Sequence, residues 1–124
     1  MIVRDLSTAK TVDWGNGLSR RFLLESDGLG YTVTDTLVRA GTSSRLEYTR
    51  HLEACYCFAG SGAVIDANGE RHEIRPGTLY APGQNEAHDL IASAVEDLRL
   101  VCVFSPALRG DERHTLHPRR ASQY

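Results

Sequence analysis

The sequence predicts an all-β domain, a sandwich or barrel with minimal helix, and three observations carry that prediction. Turn signals recur at short intervals, at Gly15-Asn16-Gly17, Asp27-Gly28, Gly41, Gly60-Ser61-Gly62, Asn68-Gly69, Pro76-Gly77 and Pro82-Gly83. The runs between them are about four to nine residues long and rich in β-branched and aromatic side chains. Helical periodicity is confined to residues 5–10, which fit one turn capped by Asp5 or Ser7.

The strands follow in chain order. Residues 20–24 and 31–38 are strand-like runs between turn signals, and residues 45–49 form a shorter one. In residues 53–58 the alternate positions Glu53, Cys55 and Cys57, preceded by His51, share one face and point to a barrel interior. Residues 63–66 and 72–74 are joined across Asn68-Gly69, a pair suited to a type I′ hairpin turn with positive φ at both residues. A short strand between the two Pro-Gly turns ends at Tyr80, and residues 88–92 begin the next at His88. Residues 98–104, LRLVCVF, are almost continuously apolar and predict a central strand buried on both faces. The tail, residues 109–124, is charged and contains a proline, which leaves open whether it is a lid or partly disordered.

Composition narrows the function. The chain has 124 residues, 41% apolar and 24% charged, which is one domain with room for one core and predicts a single domain over 1–124. A net charge of -2 supplies no basic field for phosphate contacts, so no nucleic-acid partner is expected. The first residues, Met1-Ile2-Val3-Arg4-Asp5, carry charge with no apolar run behind them, so neither a secretory signal nor a membrane partner is expected. Cys55, Cys57 and Cys102 are an odd count, read as buried free thiols in a reducing cytoplasm.

The chemistry is concentrated between Gly41 and His88. Gly41, Glu53 and Gly60 fall on the Gly, Glu and Gly of the first cupin motif, while Glu47 and Thr49 stand at its two His positions. A carboxylate on an inward face is costly unless paired or bound to metal, which singles out Glu53. The run PGTLYAPGQNEAH, from Pro76, resembles the second cupin half, with His88 at the ligand place; Tyr80, ending the short strand before it, reads by pattern either as core or as a phenol presented to the same cavity. The fold class is therefore a single-domain cupin β-barrel of jelly-roll type.

Beyond the fold, MIVR, SRRFLL, the Ala40-Gly41-Thr42 turn, HLEACYC, RPGTLYA and LRLVCVF resemble the ectoine synthase family, in the family's order from Met1 to about His114. That resemblance implies a dimeric, iron(II)-binding cupin that closes N-γ-acetyl-L-2,4-diaminobutyrate into the compatible solute ectoine with loss of water. It implies Glu53, Tyr80 and His88 as metal ligands, a set that would also accept zinc or manganese. It implies substrate contacts at Arg21, Thr36, Tyr48, His51, Cys102 and Phe104, and an acid–base pair at Glu112 and His114. In this scheme the metal polarises the amide carbonyl, Glu112 or His114 takes a proton from the α-amine, Tyr48 supplies a proton as water leaves, and Arg21 holds the carboxylate.

The chain also departs from the family. Gly17 stands where the family has Trp, with Trp14 three residues upstream, and Thr34 replaces a substrate-facing Asn. Those changes keep two other readings in play: a metal-dependent cupin acting on a different amide or amino acid, and a solute-binding cupin without turnover. Retention of Glu112 and His114 beside the ligand triad weighs against the second, because a pure binder needs no acid–base pair.

Overall fold

Alternating inward and outward side chains build two facing antiparallel sheets in the computed structural model, which describes residues 1–114 and Tyr124. The elements are β1 (Lys10–Asp13), β2 (Gly17–Leu23), a 3-10 turn (Glu25–Asp27), β3 (Thr32–Val38), β4 (Ser43–Leu46), β5 (Leu52–Ala59), β6 (Gly62–Ile65), β7 (Arg71–Ile74), β8 (Leu79–Tyr80), β9 (His88–Ala92) and β10 (Leu98–Ser105). One sheet has the order β1-β2-β3-β10-β5-β8, the other β4-β9-β6-β7. Of the predicted tail, residues 115–123 lie outside the described residues.

The core lies between the sheets, where Val38, Leu46, Cys57, Val64, Ile74, Leu90, Leu98 and Leu100 are buried together. Each such aliphatic side chain contributes about 1.5–3 kcal/mol relative to exposure. The turn after β5 needs glycine at position 60. Its φ is 77°, and a Cβ there would stand 2.0 Å from the Asp97 carbonyl oxygen. On the outer face of the larger sheet, Asp35 joins Arg20 at 2.8 Å and Arg99 at 2.8 Å, tying β2, β3 and β10 together.

Four local expectations change. Strand β10 alternates instead of burying both faces: Leu98, Leu100, Cys102 and Phe104 point inward, while Val101 and Val103 are 37% and 40% exposed. The Asn68-Gly69 turn is not type I′, because Gly69 alone has positive φ there. The Asp66 carboxylate accepts the N–H groups of Asn68 and Glu70, which holds Asn68 on the ordinary side of φ. Residues 47–49 leave the sheet after β4, and the Thr49 and Arg50 N–H groups donate to the Tyr124 carbonyl. The predicted turn near Asp5 forms, with the Ser7 N–H on the Asp5 carboxylate, but an edge strand, β1, follows it directly.

Candidate active site

Strand register assembles the site. Across the larger sheet, Arg21 pairs with Thr34, Thr34 with Cys102, Cys102 with Cys55 and Cys55 with Tyr80. One row of inward positions therefore crosses β2, β3, β10, β5 and β8. The neighbouring row holds Thr32, Phe104 and Glu53. His88 opens β9 on the facing sheet, and its ring is 5.6 Å from that of Tyr48. Tyr80 and His88 line a common cavity of about 520 Å³ together with Val64, Ile74, Asp66 and His72, while Glu53 does not line it. The inward run His51, Glu53, Cys55, Cys57 is buried as the alternation predicts.

The residues present fit a metal ion. Glu53 Oε1 and His88 Nε2 are both buried and without a hydrogen-bond partner, a costly condition that a cation would relieve. The other His88 nitrogen, Nδ1, lies 2.9 Å from the Glu86 carbonyl, an acceptor only, so Nδ1 carries the proton and Nε2 presents its lone pair. Burial pushes the His88 pKa below its ordinary value and favours the neutral ligand form. Burial also pushes the Glu53 carboxyl up to about 7, against the opposing pull of Cys55, Tyr48 and Cys102. The Tyr80 phenol is raised well above its usual range by burial first, then by Cys55 and Glu53 beside it. Among the described residues, Glu53 also groups with Cys55 and Cys102, their ligand atoms all within 4.8 Å of one another.

A second cluster surrounds Arg21, which is 1% exposed. Its NH2 donates to the Glu112 carbonyl and to the Tyr124 hydroxyl, each at 2.5 Å, while NH1 has no hydrogen-bond partner. An unpartnered guanidinium nitrogen at this depth suits a carboxylate. Glu112 lies 3.7 Å from that NH1, but its two oxygens already accept the Arg109 and Gly110 N–H groups. Burial raises the Glu112 pKa, yet those backbone bonds and Arg21 bring it below its ordinary value overall. His114 is held neutral, its pKa lowered to about 3 by burial, then Arg21 and His88. Tyr48 stays protonated, since burial and then the nearby Glu53 push its phenol well above the usual range.

The remaining predicted contacts sit around this cluster. Phe104 packs edge-on to Tyr48 at 6.0 Å, Thr36 exchanges a 2.8 Å hydrogen bond with Thr34, and His51 Nδ1 is buried without a partner. Trp14 is buried with its ring edge-on to His114 at 4.9 Å. A Cβ at residue 17 would stand 1.8 Å from the Leu37 carbonyl oxygen and 2.9 Å from the Trp14 ring, so Gly17 admits the paired strand's backbone first and the indole beside it. Tyr124 is the residue that sequence reasoning missed. Its ring stacks on His114 at 4.4 Å and lies 5.0 Å from Phe104. Nothing in strand periodicity could signal a residue so far beyond β10.

Comparison with known proteins is consistent with this geometry. A family model described as ectoine synthase matches residues 1–119. The L-ectoine synthase of Hyphomonas neptunium is 42% identical over 119 residues, covering 92% of this chain and 88% of the relative. That of Desulfatibacillum aliphaticivorans is 45% identical over 121 residues, covering 92% of each chain. The crystal structure of the ectoine synthase from P. lautus superposes with a TM-score of 0.83 at 40% identity, over 89% of this chain and 81% of that one. The polyketide cyclase RemF from Streptomyces resistomycificus, with a TM-score of 0.73 at 18% identity over 85% of this chain and 79% of that one, shares the fold alone.

Proposed function

The chain belongs to the ectoine synthase family, and from that premise we propose that its single domain, residues 1–124, closes N-γ-acetyl-L-2,4-diaminobutyrate into ectoine with release of water. The observation that carries this reading is the set of unpartnered buried atoms in one barrel interior: Glu53 Oε1, His88 Nε2 and Arg21 NH1. Two of them suit a cation and the third a carboxylate, which is what a metal-assisted reaction of an amino acid requires.

Glu53, Tyr80 and His88 would hold iron(II), which when bound supplies a Lewis acid for the amide carbonyl. Arg21 anchors the substrate carboxylate through NH1, and holding both ends of the molecule brings the amine toward the carbonyl. Of the predicted acid–base pair, Glu112 is held by the Arg109 and Gly110 N–H groups and faces Arg21, which leaves His114 as the member that takes the α-amine proton. Glu112 serves as a positioning residue for that guanidinium. Tyr48, kept protonated, donates the proton to the departing water. Thr36, His51, Cys102 and Phe104 complete the substrate wall, with the Trp14 indole packed against Gly17 and His114.

The family reading extends to assembly and place. Leu52, Tyr56, Phe58, Leu79, Val101 and Val103 leave an apolar strip exposed on the outer face of the larger sheet, which supports a homodimer. Three free buried cysteines support a cytoplasmic enzyme of osmoprotective solute synthesis. No helix of the described residues is long and apolar enough to cross a membrane. The test is an NMR assay of N-γ-acetyl-diaminobutyrate with iron(II)-loaded protein under anaerobic conditions. Ectoine signals are expected; none from fully metallated protein would favour a different amide substrate, the reading that Gly17 and Thr34 leave open.

A further inference from the structure

The thiols of Cys55 and Cys102 stand 3.6 Å apart, each at most 2% exposed, on adjacent strands whose Cα atoms are register partners. Glu53 precedes Cys55 by two residues on the same strand face, so strand geometry, not a loop, sets all three positions. Two thiolates about 2.3 Å from a tetrahedral ion stand roughly 3.8 Å apart, so this spacing already matches ligands of one cation. A disulfide would require about 2.05 Å, and both cysteines are free. The third donor also points to a ligand, because Glu53 Oε1 is buried and unpartnered, and it is the same oxygen that the set with Tyr80 and His88 would use.

We infer that Glu53, Cys55 and Cys102 form a thiolate-bearing site for a soft divalent cation such as zinc or cadmium. Two sulfur donors and one oxygen favour such an ion over iron(II) or manganese. Each thiol loses its proton to solvent on ligation, and so does the protonated fraction of Glu53, so the site takes up a dication and releases at least two protons. It shares Glu53 with the oxygen- and nitrogen-donor set of Tyr80 and His88, and the two sets compete for that carboxylate. A soft cation held by the cysteines therefore excludes a metal from the other set. The inference rests on the geometry of these three residues and does not need the ring-closing reaction.

The test is titration of the full chain with cobalt(II) under anaerobic, reducing conditions, following the thiolate-to-cobalt charge-transfer absorption. The band should saturate near one equivalent and disappear when zinc is added. It should be lost in Cys55→Ser and in Cys102→Ser. It should persist in Cys57→Ser, whose sulfur turns toward the Ala59 and Gly60 carbonyls, and in His88→Ala. Cadmium NMR of the wild-type chain reads sulfur ligation directly, with no dependence on how the variants fold. Cobalt binding without the band, no binding at all, or a band that survives loss of either cysteine would overturn the inference. A normal band from protein that makes no ectoine would leave it standing while refuting the proposed reaction.

Discussion

Strands β3, β5 and β10 run through two different interiors. Toward one end they bury Val38, Cys57, Leu98 and Leu100. Toward the other they bury Thr32, Thr34, Glu53, Cys55, Cys102 and Phe104, and there lie unpartnered polar atoms of Glu53, His51 and His88. The same inward alternation serves both ends, so the fold does not distinguish them. The difference is energetic. The apolar end stabilises the barrel, whereas the polar end gives up stability for groups that await a ligand.

Four substitutions break or sharpen that contrast, taken from the largest effect downward. Glu53→Ala should lower ectoine formation by about a thousandfold or more, because the metal supplies several kcal/mol of charge stabilisation. Its metal-free melting temperature should stay level or rise, since a buried carboxyl with one unpartnered oxygen is removed; calorimetry on metal-stripped protein measures this. Leu100→Ala, at the apolar end, should do the reverse. It should lose about 2–5 kcal/mol in denaturant unfolding while the folded fraction keeps its kcat. Arg21→Lys keeps the charge but loses the planar fork and should raise KM by roughly tenfold or more, an effect of about 1.5–3 kcal/mol.

The smallest effect belongs to the sheet's outer face. Burial raises the Asp35 pKa, but Arg99 and Arg20 bring it below its ordinary value overall. A depressed carboxylate contributes stability that is present above its unfolded pKa and is lost as pH falls through the folded one. Asp35→Asn should therefore cost at most about 1 kcal/mol at neutral pH after solvent screening. Its stability curve should meet the wild type's below about pH 4, as read from urea midpoints across pH.

Much of this contrast was legible in the sequence. Glu53 on an inward face and His88 after a Pro-Gly turn follow from alternation and turn chemistry, and both are buried where that reasoning put them. Tyr80 needed the family resemblance, because a tyrosine ending a two-residue strand is ordinary core by pattern alone. Strand β1 was not legible: Lys10-Thr11-Val12-Asp13 has one buried side chain and exists by pairing with β2. The outer face of β10 misled because an apolar run reads alike whether a second layer or solvent covers it. Tyr124 and the engagement of Glu112 by the Arg109 and Gly110 N–H groups are tertiary facts with no local signature.

The most direct test of the polar end as the reactive one is iron-edge anomalous diffraction from crystals grown anaerobically with iron(II). The account predicts one strong peak at about 2 Å from Glu53 and from His88 Nε2, with Tyr80 completing the set. A peak at the surface cluster of half-buried Asp66 with exposed Glu70 and His72 instead, with Glu53 and His88 unliganded, would contradict it.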